Sequence, residues 1–210
     1  MKKTAILIVS FLTLTAFAPG YMLSTSVKSG TEAGDKQFLL DYYKETAKKL
    51  TGSIKGLSKD QLGYQPKPES WSINQCLEHI ILTEAFLFEN IKKLMEAPAN
   101  PERREEIKIT DEDLIKTMTD RSYKAKAPEP IQPASTYTDT KTALKDFEKQ
   151  RKEILKFIKD TPIEELRNHV ADSPMGPIDA YQYTLLIAAH GARHTLQIEE
   201  VKESPGFPAK

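Results

Sequence analysis

Three histidines stand at spacings that could do chemistry. His190 and His194 are four residues apart, and residues four apart in a helix share one face, roughly 6 Å apart along its axis. Both imidazoles can then reach one ion, and His-x-x-x-His on a helix is a standard source of two metal ligands. They fall on an inward seam, Tyr183, Ile187, His190, His194, Gln197 and Val201, at positions where leucine would pack better. His79 lies on a second helical stretch, with Cys76, Thr83 and Phe86 on the same side, and is the candidate third nitrogen. Three histidines leave coordination positions open to water or substrate, as in a reactive site rather than a closed one. The alternative is a set of buried neutral histidines satisfied by ordinary hydrogen bonds.

Four neighbours carry weaker signals. Cys76, the only cysteine, lies one turn before His79 and has two readings: a thiolate approaching the ion, or a hydrophobic staple with Trp71. Gln197, one turn past His194, either bonds a metal-bound water or simply packs. Arg151 interrupts an apolar stripe and reads as a stem snorkelling from the core edge rather than as an anchor for an anionic substrate. His169, beside Arg167 and Asn168, reads as an exposed loop residue.

The elements that must position these groups are helical. Phe38, Leu39, Tyr42, Tyr43, Ala47, Leu50 and Ile54 recur at the three-and-four spacing of an amphipathic helix. Ser72 followed by Gln75 forms a capping box, which opens a second helix carrying Ile73, Leu77, Ile80, Leu87, Ile91 and Leu94. Pro98 and Pro101 close it. A connection of roughly 40 residues follows, well beyond ordinary loop length, with a short helical candidate near Asp111 to Asp120. A span this long can carry the chain back along a bundle, so that the next helix runs parallel to the last. The third long helix runs from about Thr140 to Lys159 and the fourth from about Asp179 to Glu203, where Ser204-Pro205-Gly206 stops it. Strand alternation is absent, and the fold class is all-α: a four-helix bundle with a long crossover between the second and third long helices.

Composition narrows the function. The 210 residues suffice for one domain of ordinary size. Thirty basic and 30 acidic side chains balance to a formal charge of zero, against a phosphate-backbone binder. A single cysteine rules out an intramolecular disulfide, a zinc finger or a paired-cysteine redox motif. Lys2 and Lys3 precede an apolar run from Ala5 to Ala18 that Pro19 and Gly20 stop. That run is short of the about 20 residues that span a bilayer and reads as a secretory signal. The alternative is an uncleaved N-terminal anchor. The expected organisation is a signal peptide over 1–20, a linker over 21–34 and the helical domain over 35–210.

Two segments resemble the DinB-like (damage-inducible) superfamily of small four-helix proteins. One is Trp71-Ser72-Ile73 running to Glu78-His79-Ile80. The other is Ser173-Pro174-Met175-Gly176-Pro177 followed by His190-Gly191-Ala192-Arg193-His194-Thr195-Leu196-Gln197-Ile198. The resemblance implies an up-down-down-up bundle with one divalent ion, zinc or nickel, on three histidines, which match here as His79, His190 and His194. Some relatives transfer low-molecular-weight thiols such as bacillithiol or mycothiol, and others isomerise maleylpyruvate with such a thiol. The signal segment departs from the usual cytoplasmic members and counts against a thiol-dependent reaction, because reduced thiols are scarce outside the cytoplasm. The expectation is a metal-dependent transferase or hydrolase acting on a small molecule, the alternative a non-catalytic metal-binding or stress-related module. Catalytic residues other than ligands are unknown. Expected partners are a small-molecule substrate and a second copy in a homodimer; nucleic acid and stable membrane insertion after signal removal are not expected.

Overall fold

The computed structural model describes residues 32–137 and 139–209. The expected signal peptide and residues 21–31 of the linker lie outside them; Glu32 to Gly34 form the first turn of a helix. Four long helices build the bundle: α1 (Glu32–Ile54), α3 (Ile73–Glu96), α5 (Thr140–Asp160) and α7 (Ala180–Lys202). Three shorter ones are α2 (Lys59–Gly63), α4 (Asp111–Thr119) and α6 (Ile163–Arg167).

Side-chain contacts fix the directions. Asp35 lies beside Tyr181 and Tyr43 beside Thr184, so α1 and α7 run parallel. Thr140 meets Asn74, and Phe157 packs edge-on against Phe88 with centroids 5.4 Å apart, so α5 runs parallel to α3. Lys36 reaches the carbonyl of Lys159, so α1 and α5 are antiparallel. The topology is up-down-down-up, and the long crossover supplies the parallel pair, as expected. It also supplies α4, which packs along α7.

Local signals account for the ends. Ser72 accepts from the Gln75 amide and the Gln75 side chain returns to the Ser72 amide, the complete capping box. Asp139 caps α5 and Asp179 caps α7. One feature departs from the all-helical reading: Val170–Ser173 (β1) and Gly176–Asp179 (β2) pair as an antiparallel hairpin, with Val170 opposite Asp179. Its turn is held by Ser173 Oγ donating to the Gly176 carbonyl at 2.6 Å and by Gly176 at φ +94°. The hairpin delivers the chain into the Asp179 cap. There Arg167 binds Asp111 and Asp179 at 2.7 and 3.0 Å and stacks 3.8 Å from the Tyr181 ring centroid, tying α4, α6 and α7 together.

The core has two parts. One gathers Leu39, Tyr43, Phe88, Ile154 and Leu185; the other gathers Leu50, Ile73, Leu77, Phe147 and Ile198. Between them lies a polar layer. Arg151 is buried and pairs with Glu84 through two hydrogen bonds, with a third to Thr46. This corrects the snorkelling reading: a fully buried carboxylate 67 positions away in sequence holds the guanidinium inside. α7 approaches this layer closely at Gly191, where a Cβ would lie 2.9 Å from Arg151 Nη2 and 3.1 Å from Glu84 Oε1.

Candidate metal centre

One turn of α7 brings His190 Nε2 to 3.1 Å from His194 Nε2. α3 runs antiparallel alongside and inserts His79, whose ring centroid is 4.5 Å from that of His194 and 5.0 Å from that of His190. The three side chains each offer one nitrogen, and these nitrogens all lie within 4.8 Å of one another. His79 and His194 are buried and His190 is partly exposed. The structure thus assembles all three sequence-derived candidates.

The outer nitrogens determine what the inner ones present. His79 Nδ1 lies 2.6 Å from the Ile131 carbonyl, and His194 Nδ1 lies 2.9 Å from Gln197 Oε1. A carbonyl oxygen only accepts, so each Nδ1 carries the proton and each Nε2 presents a bare lone pair. Thr83 Oγ1 also stands 3.4 Å from His79 Nδ1. His190 Nδ1 is buried without a hydrogen-bond partner among the described residues. His190 Nδ1 lacks a partner among them in either tautomer; a proton placed on His190 Nε2 would bond to His194. With the proton on Nδ1 instead, the Nε2 atoms of His190 and His194 face each other bare, an arrangement that a cation satisfies.

Distances and protonation suit such a cation. Two nitrogens at about 2.0–2.1 Å from one ion, subtending a tetrahedral or right angle, lie about 2.8–3.4 Å apart, and the His190–His194 separation falls in that range. Burial lowers the pKa of His79. Burial, with His79 and Arg193 adding to it, lowers that of His190 to about 3. Burial and the other two histidines hold His194 well below the usual range. All three are therefore neutral near pH 7, the form that binds metal. The donor set fits a divalent transition-metal ion, for which imidazole nitrogen is a suitable ligand.

Other candidates sort differently. Cys76 is buried in the apolar core with Leu77 and Ile198 and does not join the cluster. Burial pushes its thiol up to about 12, so it stays protonated. Gln197 contacts a histidine directly. His169 is 2% exposed, not a surface residue: its ring bridges the carbonyls of Glu165 and Ala97 and so locks α6 to the end of α3. Phe86 is 49% exposed, so its side of α3 turns to solvent after Thr83.

Two further contributors stand outside the histidine spacing. Trp71 lays its ring 4.7 Å from that of His79 and 5.9 Å from that of His194. Ile131, in the crossover, supplies the carbonyl that fixes the His79 tautomer. The first was legible only as a staple, and no side-chain signal marks a backbone carbonyl.

Comparison with known proteins agrees with this architecture. YuaE, an uncharacterized protein of Bacillus subtilis (strain 168), is 24% identical over 168 residues, spanning 78% of this chain and 97% of the relative. The fold is similar to that of YfiT from Bacillus subtilis, described as a probable metal-dependent hydrolase with an unusual four-helix bundle topology. The TM-score is 0.58 at 14% identity, covering 83% of this chain and 90% of YfiT. The model of the DinB superfamily matches residues 42–198, a span that contains all three histidines, and the chain belongs to that superfamily.

Proposed function

We propose that this chain is an exported, metal-dependent transferase or hydrolase acting on a small molecule, with one zinc or nickel ion held by His79, His190 and His194. The observation that carries this reading is the set of three converging histidine nitrogens with no fourth His, Cys, Asp or Glu joining them among the described residues. Three ligands leave open positions for substrate, whereas a sealed four-ligand site would favour a non-catalytic module. The description of YfiT as a probable metal-dependent hydrolase supports the same chemistry.

His79, His190 and His194 would hold the ion, and its Lewis acidity would serve to acidify water or a thiol and to polarise an electrophile. The chain's own residues do the rest. The Ile131 carbonyl and Gln197 hold the His79 and His194 rings by their outer nitrogens, so the inner nitrogens stay aimed and deprotonated. Trp71 covers the His79 and His194 rings. The test is a screen of metal-loaded protein for thiol conjugation and for hydrolysis of small amides and esters. Turnover in the wild type and its loss in His194→Ala supports the reading. No turnover in a protein that holds its ion on all three histidines supports the non-catalytic module.

Export is part of the proposal. Lys2, Lys3 and the apolar run to Ala18 support it. N-terminal sequencing of protein from the native cell envelope is expected to begin after Ala18; intact Met1 in a soluble cytoplasmic fraction would overturn it.

A further inference from the structure

The crossover is tied down beside the histidines at two adjacent residues of α3. His79 donates to the Ile131 carbonyl. Glu78, buried at 2% exposure, accepts from three consecutive backbone amides: Ala134 at 3.3 Å, Ser135 at 2.9 Å and Thr136 at 2.9 Å. Successive amides converge on one carboxylate because Ser135 has φ 58°. That left-handed conformation turns neighbouring N–H groups toward a common point, a backbone nest for an anion. Serine is disfavoured there, so the turn needs the charged acceptor to hold it.

Only Gln132 and Pro133 separate the nest from Ile131. Pro133 has a fixed φ, and Ile131 ends a single 3-10 turn, Glu129–Ile131. The segment is therefore short and stiff, and moving the nest moves the Ile131 carbonyl. We propose that Glu78 is the positioning residue of the histidine centre: its carboxylate fills the nest at 134–136 and so sets the carbonyl that fixes the tautomer and ring angle of His79. Its effect on ion affinity rests on the metal-centre reading above; its effect on the His79 ring does not. A group that holds a ligand's outer nitrogen, as the Ile131 carbonyl holds that of His79, is worth about 10- to 100-fold in metal affinity, and displacing that carbonyl should forfeit this.

The test uses the full chain as wild type, Glu78→Gln, Ser135→Pro and Ser135→Gly. Glu78→Gln keeps the shape but turns an amide toward the nest. Ser135→Pro breaks the nest in an exposed turn and leaves Glu78 in place, because proline cannot adopt the positive φ. Ser135→Gly keeps every amide and relaxes the backbone. Two quantities are read: the hydrogen-bonded His79 Nδ1 proton by NMR of metal-free protein, and zinc affinity by competition with a chelating dye. The wild type and Ser135→Gly should show the proton and equal affinities. Glu78→Gln and Ser135→Pro should lose the proton and bind zinc about 10- to 100-fold more weakly at unchanged stoichiometry. Either quantity moving without the other, or neither moving, overturns the proposal. If circular dichroism shows Glu78→Gln unfolded, Ser135→Pro decides. If the wild type takes up no zinc, the metal-centre reading fails and the His79 proton alone decides the positioning role.

Discussion

His190 and His194 face each other through their Nε2 atoms at 3.1 Å, while the outer nitrogen of His194 is committed to Gln197 and that of His190 has no partner among the described residues. Only a shared proton or a shared cation makes that contact favourable. His79, entering from α3 with its own outer nitrogen committed to Ile131, adds a third lone pair and favours the cation.

Trp71 gives a direct optical report, because it is the only tryptophan and lies against two of the three rings. Nickel bound on His79 and His194 has an open shell and should quench its emission, saturating at one ion per chain. Zinc should shift the emission without strong quenching, and His79→Ala should weaken both responses. Nickel binding at one per chain with unaltered Trp71 emission would place the ion elsewhere.

The metal-free protein should lose stability in acid. Burial lowers all three histidine pKa values in the fold, His190 to about 3, while unfolded histidine titrates near 6.5. Above that value the rings are neutral in both states and their contribution is fully present. As pH falls, the unfolded chain takes up protons that the fold refuses. Stability should drop by about 1.4 kcal/mol per pH unit for each histidine still neutral in the fold. Urea melts of metal-free protein between pH 7 and pH 5 measure it. The combined His79→Ala, His190→Ala, His194→Ala variant should have a flatter profile, and equal profiles would contradict these environments.

Much of this arrangement is legible in the sequence where the signal is local. The Ser72–Gln75 box, the four apolar stripes and the four-residue histidine spacing each declare themselves within a few turns. The long crossover announces the parallel α3–α5 pair. What is not legible depends on distant partners. Arg151 looks like a surface stem until Glu84 is found opposite, and His169 looks exposed until Ala97 is brought to its ring. The α7 seam captured one side of a helix that is buried on most faces, since α1, α3 and α4 all pack on it. The hairpin escapes because its four-residue strands lack alternation and Pro177 interrupts the second.

The buried pair itself predicts an asymmetric mutational response. Arg151→Leu strands the fully buried Glu84 carboxylate and should cost about 3–5 kcal/mol in a urea melt. Adding Glu84→Leu to the same chain should recover much of that loss, because desolvation of both charges is then avoided. A double variant as unstable as Arg151→Leu alone would mean that shape rather than charge governs the layer.

Metal content tests most directly whether the three histidines hold one divalent ion. Elemental analysis of purified wild-type protein, after incubation with zinc or nickel and removal of free ion, should give one ion per chain. His190→Ala and His194→Ala should lose most of it, and His79→Ala should retain only weak two-ligand binding. Binding to the fold alone should stabilise the wild type by about 4 kcal/mol at a thousandfold excess over the dissociation constant, so a chelator should lower its melting temperature and leave the triple alanine variant nearly unchanged. A wild-type protein that holds no zinc, nickel, manganese or iron(II), with a melting curve indifferent to chelator, would show that the cluster is a set of core histidines.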